Sequence, residues 1–113
     1  MAMTEAQILK QIKINLRLFC PSVIWVDRLQ AGKREIEGRW IQMGKAGTPD
    51  LYAIIKEDGG HIFFIEVKRE GGRQSDEQKT FEKMIEGLDH VHYILAYSFS
   101  DVINNIKKVL DKP

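Results

Sequence analysis

Two apolar segments joined by a short glycine-rich turn constrain the fold of this chain more than any other feature. The first, residues 50–56, reads DLYAIIK, and the second, residues 61–68, reads HIFFIEVK. Between them, residues 57–60 read EDGG, which is turn chemistry. We therefore predict two strands paired as an antiparallel hairpin.

The N-terminal half of the chain predicts one helix and at least one more strand. Thr4 and Gln7 form a capping pattern, and the helix that follows should end near Phe19, because a proline comes two residues later. Residues 22–29 (SVIWVDRL) are rich in β-forming side chains and predict a strand. Residues 39–43 allow another short strand.

The C-terminal half predicts helix, strand and helix. Ser75 and Gln78 form a second capping pattern, residues 91–97 (VHYILAY) are typical of a strand covered on both faces, and Ser100 can cap a last helix. The order is then α-β-(β)-β-β-α-β-α. A strand, a helix and a further strand imply a parallel pair. The predicted class is α/β (α+β), with a mixed sheet flanked by helices.

Size and composition fit one globular domain spanning residues 1–113. Hydrophobic residues make up 43% of the chain, charged residues make up 29%, and the net charge is +1. No apolar run is long enough to cross a membrane, and the polar N-terminus is unlike a signal peptide. Cys20 is the single cysteine, which excludes an intramolecular disulfide and fits a reducing cytoplasm.

The three histidines show no zinc-ligand spacing, either among themselves or with the lone cysteine. We interpret His61, His90 and His92 as structural or solvent-facing residues. A structural zinc site is therefore not expected from the sequence.

Charged residues at the ends of the predicted hairpin need an explanation, because strands buried in a sheet rarely carry carboxylates without a partner. Glu66 and Lys68 are two residues apart, so they project from the same face of their strand. Asp50 shares that face only if it lies opposite Glu66 or two residues along. A four-residue loop would turn Asp50 away, so we predict an odd-length loop or a β-bulge between the strands.

If Asp50 and Glu66 converge, their oxygens suit a hard divalent cation, Mg²⁺ or Mn²⁺. The backbone carbonyl of Val67 is a further candidate ligand. Such an ion beside Lys68 fits attack on a phosphodiester, with the lysine orienting or deprotonating water or stabilising the transition state. The alternative is a surface Glu–Lys pair and an aspartate that merely starts a turn.

Cations are concentrated in the segment before the predicted hairpin. The whole chain is nearly neutral, so any affinity for nucleic acid must come from a local basic patch of this kind. Between residues 28 and 45 the only acids are Glu35 and Glu37. The cations in this stretch are Arg28, Lys33, Arg34, Arg39 and Lys45. Two more, Arg69 and Arg73, follow the second strand. Two interpretations of these residues remain open: they contact DNA phosphates, or they are ordinary charged residues of solvated loops.

These motifs together resemble the PD-(D/E)XK nuclease superfamily, and more narrowly its VRR-NUC family. The resemblance covers residues 47–78 and rests on four features. They are the GTPD motif at 47–50, the IEVKR motif at 65–69, the glycine pair at 71–72, and the capping pattern that opens at Ser75. The resemblance implies a restriction-endonuclease-like core of order α-β-β-β-α-β, in agreement with the predicted elements.

The resemblance also implies site roles. Asp50 and Glu66 would be metal ligands and Lys68 the catalytic lysine. Gln78 matches a glutamine of the helix after the catalytic strand, and Glu5 matches a glutamate of the first helix. Both also have simpler explanations, since Gln78 completes a helix cap and Glu5 favours the positive end of a helix.

Stand-alone proteins of this size in the family resemble phage or bacterial homodimers that cut branched DNA such as Holliday junctions. The expected protein is thus a Mg²⁺-dependent endodeoxyribonuclease of a bacterial cytoplasm. A general duplex or single-strand nuclease of phage replication or defence, and a non-catalytic DNA-binding module with the same fold, are the alternatives. The aromatic residues that could form a dimer interface are interpreted instead as core; they are Trp25, Trp40, Tyr52 and Phe99.

Overall fold

The fold is a mixed sheet with helices packed on it. The computed structural model describes residues 2–29, 32–43 and 45–111, with only the backbone described for residues 32–34 and 41–43. The helices are α1 (Glu5–Phe19), α2 (Asp76–Ile85) and α3 (Phe99–Leu110). The strands are β1 (Val23–Arg28), β2 (Gly32–Ile36), β3 (Arg39–Met43), β4 (Leu51–Ile55), β5 (His61–Val67) and β6 (Val91–Ala96).

The main sheet has the strand order β1-β4-β5-β6. Strand β4 pairs antiparallel with both β1 and β5, whereas β6 pairs parallel with β5 after the crossover through α2. Strands β2 and β3, which come between β1 and β4 along the chain, form a separate two-stranded sheet. Without that hairpin the order is α-β-β-β-α-β followed by the terminal α3, which confirms the predicted class and core.

The core lies between the sheet and the pair α1 and α3. The cap formed by Thr4 and Gln7 starts α1, and its apolar stripe of Ile8, Ile12 and Leu16 is buried. Alternate residues of β5, among them Phe63, join the same cluster. The helix α2 covers the opposite face. There Phe81 meets Phe64 edge-on, with 5.2 Å between ring centroids.

Three expectations about elements and burial were wrong. The cap of α3 is Ser98, whose hydroxyl accepts the Asp101 N–H, and not Ser100. Trp25 and Trp40 are not core residues, since they are 51% and 69% exposed. They lie on the edge strand of the main sheet and on the separate hairpin, where no described layer covers them.

Among the described residues, no helix combines the length and apolarity that a membrane span requires.

Candidate active site

The hairpin register brings Asp50 and Glu66 together. Leu51 pairs with Ile65 across β4 and β5, so the next position along places Asp50 opposite Glu66. The connection between the strands contains five residues, 56–60, of which Glu57–Gly59 form a 3₁₀ turn. The predicted odd-length loop is therefore confirmed, and the two carboxylates share one face of the sheet.

Asp50 is held in place by the backbone of the neighbouring strand. Its Oδ2 accepts the N–H of Val67 at 2.7 Å, while its carbonyl accepts the N–H of Leu29 at 2.9 Å. Pro49, directly before it, is buried. Because one carboxylate oxygen is fixed by a short hydrogen bond, Asp50 presents its remaining lone pairs in a defined direction.

Glu66 is a buried carboxylate without adequate partners. The residue is only 3% exposed, and its Oε1 has no hydrogen-bond partner among the described residues. Burial, and secondarily the charge of Asp50, raise the pKa of Glu66 to about 9, although Lys68 acts in the opposite direction. The fold therefore places two acids so close together that Glu66 favours its protonated form as long as no cation lies between them.

Lys68 lies beside these acids, as its spacing from Glu66 predicted. Its Nζ is 3.9 Å from Glu66 Oε2, and its side chain is only 15% exposed. Gly72 packs against its aliphatic stem, since a methyl group at that glycine would lie 3.4 Å from the Lys68 Cβ. Tyr97 fixes this turn by donating its hydroxyl to the Gly72 carbonyl at 3.0 Å. The glycine pair thus allows the chain to fold back closely over the lysine.

The start of α2 forms one wall of the site. Gln78 and Ser75 cap each other, with the Gln78 Oε1 accepting the Ser75 N–H at 2.8 Å. Gln78 also lines a cavity of about 270 Å³ together with Asp50 and Arg28. Since the cap uses only the amide oxygen, the Gln78 NH₂ group is left to donate toward that cavity. Capping and a role in the site are therefore compatible.

Glu5 approaches the site from the first turn of α1. Its Oε2 accepts the N–H of Arg69 at 3.4 Å, which is a long and weak hydrogen bond. Its charge also contributes to the raised pKa of Glu66. The structure thus brings Glu5 near Glu66 and Lys68, whereas its position at an exposed helix start also fits the dipole explanation.

Of the predicted cations whose side chains are described, only Arg28 lines the cavity of the site. Arg28 is exposed and lines the cavity beside Asp50. Arg69 and Arg73 are exposed just beyond β5, and Arg39 and Lys45 are exposed on β3 and after it. The side chains of Lys33 and Arg34 lie outside the part of the chain whose side chains are described.

The donor set fits a hard cation. It offers the unpartnered Oε1 of Glu66 and the second oxygen of Asp50, which are two carboxyl oxygens on the same face of the sheet. Mg²⁺ and Mn²⁺ prefer such oxygens. A bound cation would also remove the cost of placing two carboxylates side by side, because it favours the ionised form of both.

Sequence reasoning missed a second cluster at the other end of the sheet. Asp58, His61 and His90 each bring a ligand atom within 4.8 Å of the others. The chain spacing gave no sign of this, because His90 comes after α2 and reaches His61 only through the parallel pairing of β5 and β6. The turn that precedes β5 supplies the aspartate.

The α-β-β-β-α-β core, with two acids and a lysine at the ends of its central hairpin, defines a nuclease of the PD-(D/E)XK type. The chain belongs to the VRR-NUC family, since a family model described as the VRR-NUC domain matches residues 2–98. The protein is therefore a nuclease, a hydrolase with DNA as its substrate. Comparisons with curated proteins and with solved structures gave no match.

Proposed function

We propose that this protein is a Mg²⁺-dependent endodeoxyribonuclease, in which Mn²⁺ can replace Mg²⁺. The observation that carries the proposal is the convergence of Asp50 and Glu66 at one end of the β4–β5 hairpin, where one buried oxygen of Glu66 has no hydrogen-bond partner among the described residues. A protein that only binds DNA gains nothing from placing two acids where phosphates must pass. The non-catalytic alternative is therefore disfavoured.

Each residue of the site has a role in this proposal. Asp50 and Glu66 hold the cation, with the Val67 carbonyl as a further ligand. When bound, the cation lowers the pKa of a water molecule and neutralises charge on the scissile phosphate. Lys68 directs its ammonium group toward that water and the phosphoryl oxygens, so that it orients the nucleophile and stabilises the charge of the transition state. The water oxygen bonds to phosphorus as the P–O bond to the departing sugar oxygen breaks. The proton of the water passes to solvent, and the departing oxygen takes up a proton from solvent.

Gln78 and Glu5 act as positioning residues at the edge of this site. Gln78 donates its NH₂ group to the phosphate or to Lys68's water, and Glu5 orients the start of the segment that follows β5. Phosphates on either side of the scissile bond are contacted by the exposed cations Arg28, Arg69 and Arg73, with the more distant Lys33, Arg34, Arg39 and Lys45 adding local positive charge. Residues 1–113 act as one nuclease domain in this proposal.

One substitution separates the two roles of Gln78. Gln78→Glu keeps the oxygen that the capping box needs, because glutamate serves in that position as well as glutamine. It removes the NH₂ donor and adds a negative charge beside the phosphate path. We expect cleavage to fall about 10- to 100-fold with an unchanged melting temperature. Activity equal to that of the wild type in this variant would assign Gln78 to the cap alone.

The finer substrate class is branched DNA, cut by a homodimer. A two-fold dimer presents two sites to a two-fold four-way junction. The exposed Ile24 and Trp25 on β1 support an interface, because β1 is the edge of the main sheet and such edges are normally covered or charged. The family resemblance implies the same setting, a bacterial cytoplasm and a phage or bacterial gene.

A cleavage panel tests the proposal. Purified protein is incubated with four-way junctions, flaps, duplex and single strands of matched sequence, with Mg²⁺ or with chelator, and its mass is measured by gel filtration without DNA. We expect Mg²⁺-dependent cutting, fastest on the junction, from a protein of dimer mass. Equal rates on linear duplex would favour the general nuclease. Binding of every substrate without metal-dependent cutting would leave the binding module as the better explanation.

A further inference from the structure

A cluster of imidazole and carboxylate groups lies at the end of the sheet away from the acidic site. His61 begins β5 and Glu66 lies five residues further along it. At about 3.3 Å per residue the two positions are separated by about 17 Å, so no single ion can bind to both. The cluster consists of Asp58, His61 and His90, and it borders an open cavity of about 740 Å³.

The backbone of the β4–β5 turn folds Asp58 back over the first residue of β5. Asp58, Gly59 and Gly60 all have positive φ angles, of 53°, 81° and 101°. Two glycines and an aspartate tolerate this left-handed path better than other residues. It brings the Asp58 Oδ2 to 3.4 Å from the Nε2 of His61.

The spacing of these atoms matches a transition-metal site. Bonds of about 2.0–2.1 Å in a tetrahedral zinc site set neighbouring ligand atoms about 3.3 Å apart. The Asp58–His61 pair already has this separation, and the His90 atom lies within 4.8 Å of both. His90 and Asp58 are exposed, so small rotamer changes can close the remaining gap, whereas His61 is buried and fixed.

Neighbouring groups allow both imidazoles to present a nitrogen lone pair to a metal. The Nδ1 of His90 is 3.0 Å from the Gly60 carbonyl, which can only accept, so this nitrogen carries a proton and the lone pair of neutral His90 is on Nε2. The Nδ1 of His61 is 2.7 Å from the Nε2 of His92. When His61 donates in that contact, its own Nε2 is unprotonated and faces Asp58. Histidine ligands in metal sites are commonly oriented by such second hydrogen bonds.

We propose that Asp58, His61 and His90 form a second metal site, specific for Zn²⁺ or a similar borderline transition metal. Two imidazoles and one carboxylate suit such an ion, whereas Mg²⁺ prefers oxygen ligands. Solvent fills the fourth position, because the cavity beside the exposed ligands is open. The ion joins the turn before β5 to the turn before β6, so its role is to fasten the start of the parallel pair.

Zinc titration of tag-free protein tests this site, with the acidic site removed by Glu66→Gln and with excess Mg²⁺ present. We expect this variant to bind one Zn²⁺ per chain in calorimetry and to melt at a higher temperature with Zn²⁺ than with Mg²⁺. Because the acidic site has been removed, the outcome is independent of the proposed nuclease mechanism.

Substitutions of the exposed ligands provide the decisive comparison. In the same background, His90→Gln and Asp58→Asn should each weaken Zn²⁺ binding at least about tenfold. Asp89→Asn is the matched control, because it removes the same charge from the same cavity without touching the three ligands, and it should bind like its parent. No stoichiometric zinc binding, or equal losses in Asp58→Asn and Asp89→Asn, would overturn the proposal.

Discussion

Glu66→Gln is expected to abolish metal-dependent cleavage and, in chelator, to stabilise the folded protein. The loss of cleavage follows from removing an anionic ligand, and we expect it to reach at least about 100-fold. The gain in stability follows from the surroundings of Glu66, which is buried beside Asp50 with one unpartnered oxygen. Glutamine has the same shape, carries no charge, and can donate its NH₂ group to Asp50.

The stabilisation should depend on pH. The pKa of Glu66 is raised from its ordinary 4.5 to about 9 in the fold, so the folded state favours the protonated form. The stability contributed by this proton is fully present below about pH 4.5 and is lost as the pH rises through about 9. At pH 8 without metal, we expect the free energy of unfolding of Glu66→Gln to be about 1–3 kcal/mol higher than that of the wild type.

Denaturant unfolding at pH 5 and pH 8, with chelator and then with Mg²⁺, measures both effects. The difference between Glu66→Gln and the wild type should grow with pH in chelator and shrink when Mg²⁺ is added, because only the wild type gains from the ion. Glu86→Gln is a control with the same chemical change at the exposed C-terminal end of α2, whereas it is the start of α2 that lines the cavity with Asp50. A destabilised Glu66→Gln in chelator would mean that Glu66 has a compensating partner and is not a strained metal ligand.

The sequence was most predictive where local rules determine geometry. The face shared by Glu66 and Lys68 follows from the two-residue period of a strand, and the position of Asp50 follows from the parity of the loop. The caps at Thr4 and Ser75 follow from short-range hydrogen bonds. Such contacts join residues that are close in the chain, so a single sequence is sufficient to predict them.

Two features were missed from the sequence: strand β2 and the residue that caps α3. Strand β2 (GKREI) has a single large apolar residue and belongs to a hairpin outside the main sheet, so the hydrophobic pattern gave no signal. Its two-residue turn, Glu37-Gly38 with positive φ at both positions, was the available clue. For α3, the Ser-x-x-Asp pattern from Ser98 to Asp101 was a better signal than Ser100.

The histidine cluster was beyond the reach of sequence reasoning for a different reason. It depends on the register of two parallel strands, in which Ile62 lies beside Val91. A crossover helix separates these strands, so neither loop length nor residue spacing determines that register. Only the folded chain brings His90 to His61.

Gly47→Ala is expected to lower cleavage about 100-fold, through Asp50, and to destabilise the fold. Gly47 has a φ of 88°, and a methyl group there would lie 2.4 Å from the backbone carbonyl oxygen of Glu77 in the first turn of α2. Since backbone atoms of a helix cannot rotate away, the 45–49 loop must move outward. Asp50 follows directly on this loop, and a displacement of about 1 Å at a catalytic position can reduce the rate about 100-fold.

Gly87→Ala separates the clash from backbone strain. Gly87 has nearly the same φ, 86°, but no described atom lies within 4 Å of a methyl group added there. Both substitutions carry the cost of a left-handed alanine, about 1–2 kcal/mol. Only Gly47→Ala adds the clash, worth about 1–3 kcal/mol more. Cleavage and Mg²⁺ affinity are compared where circular dichroism finds both variants folded. Equal cleavage by the two variants would mean that the contact between the 45–49 loop and α2 does not position Asp50.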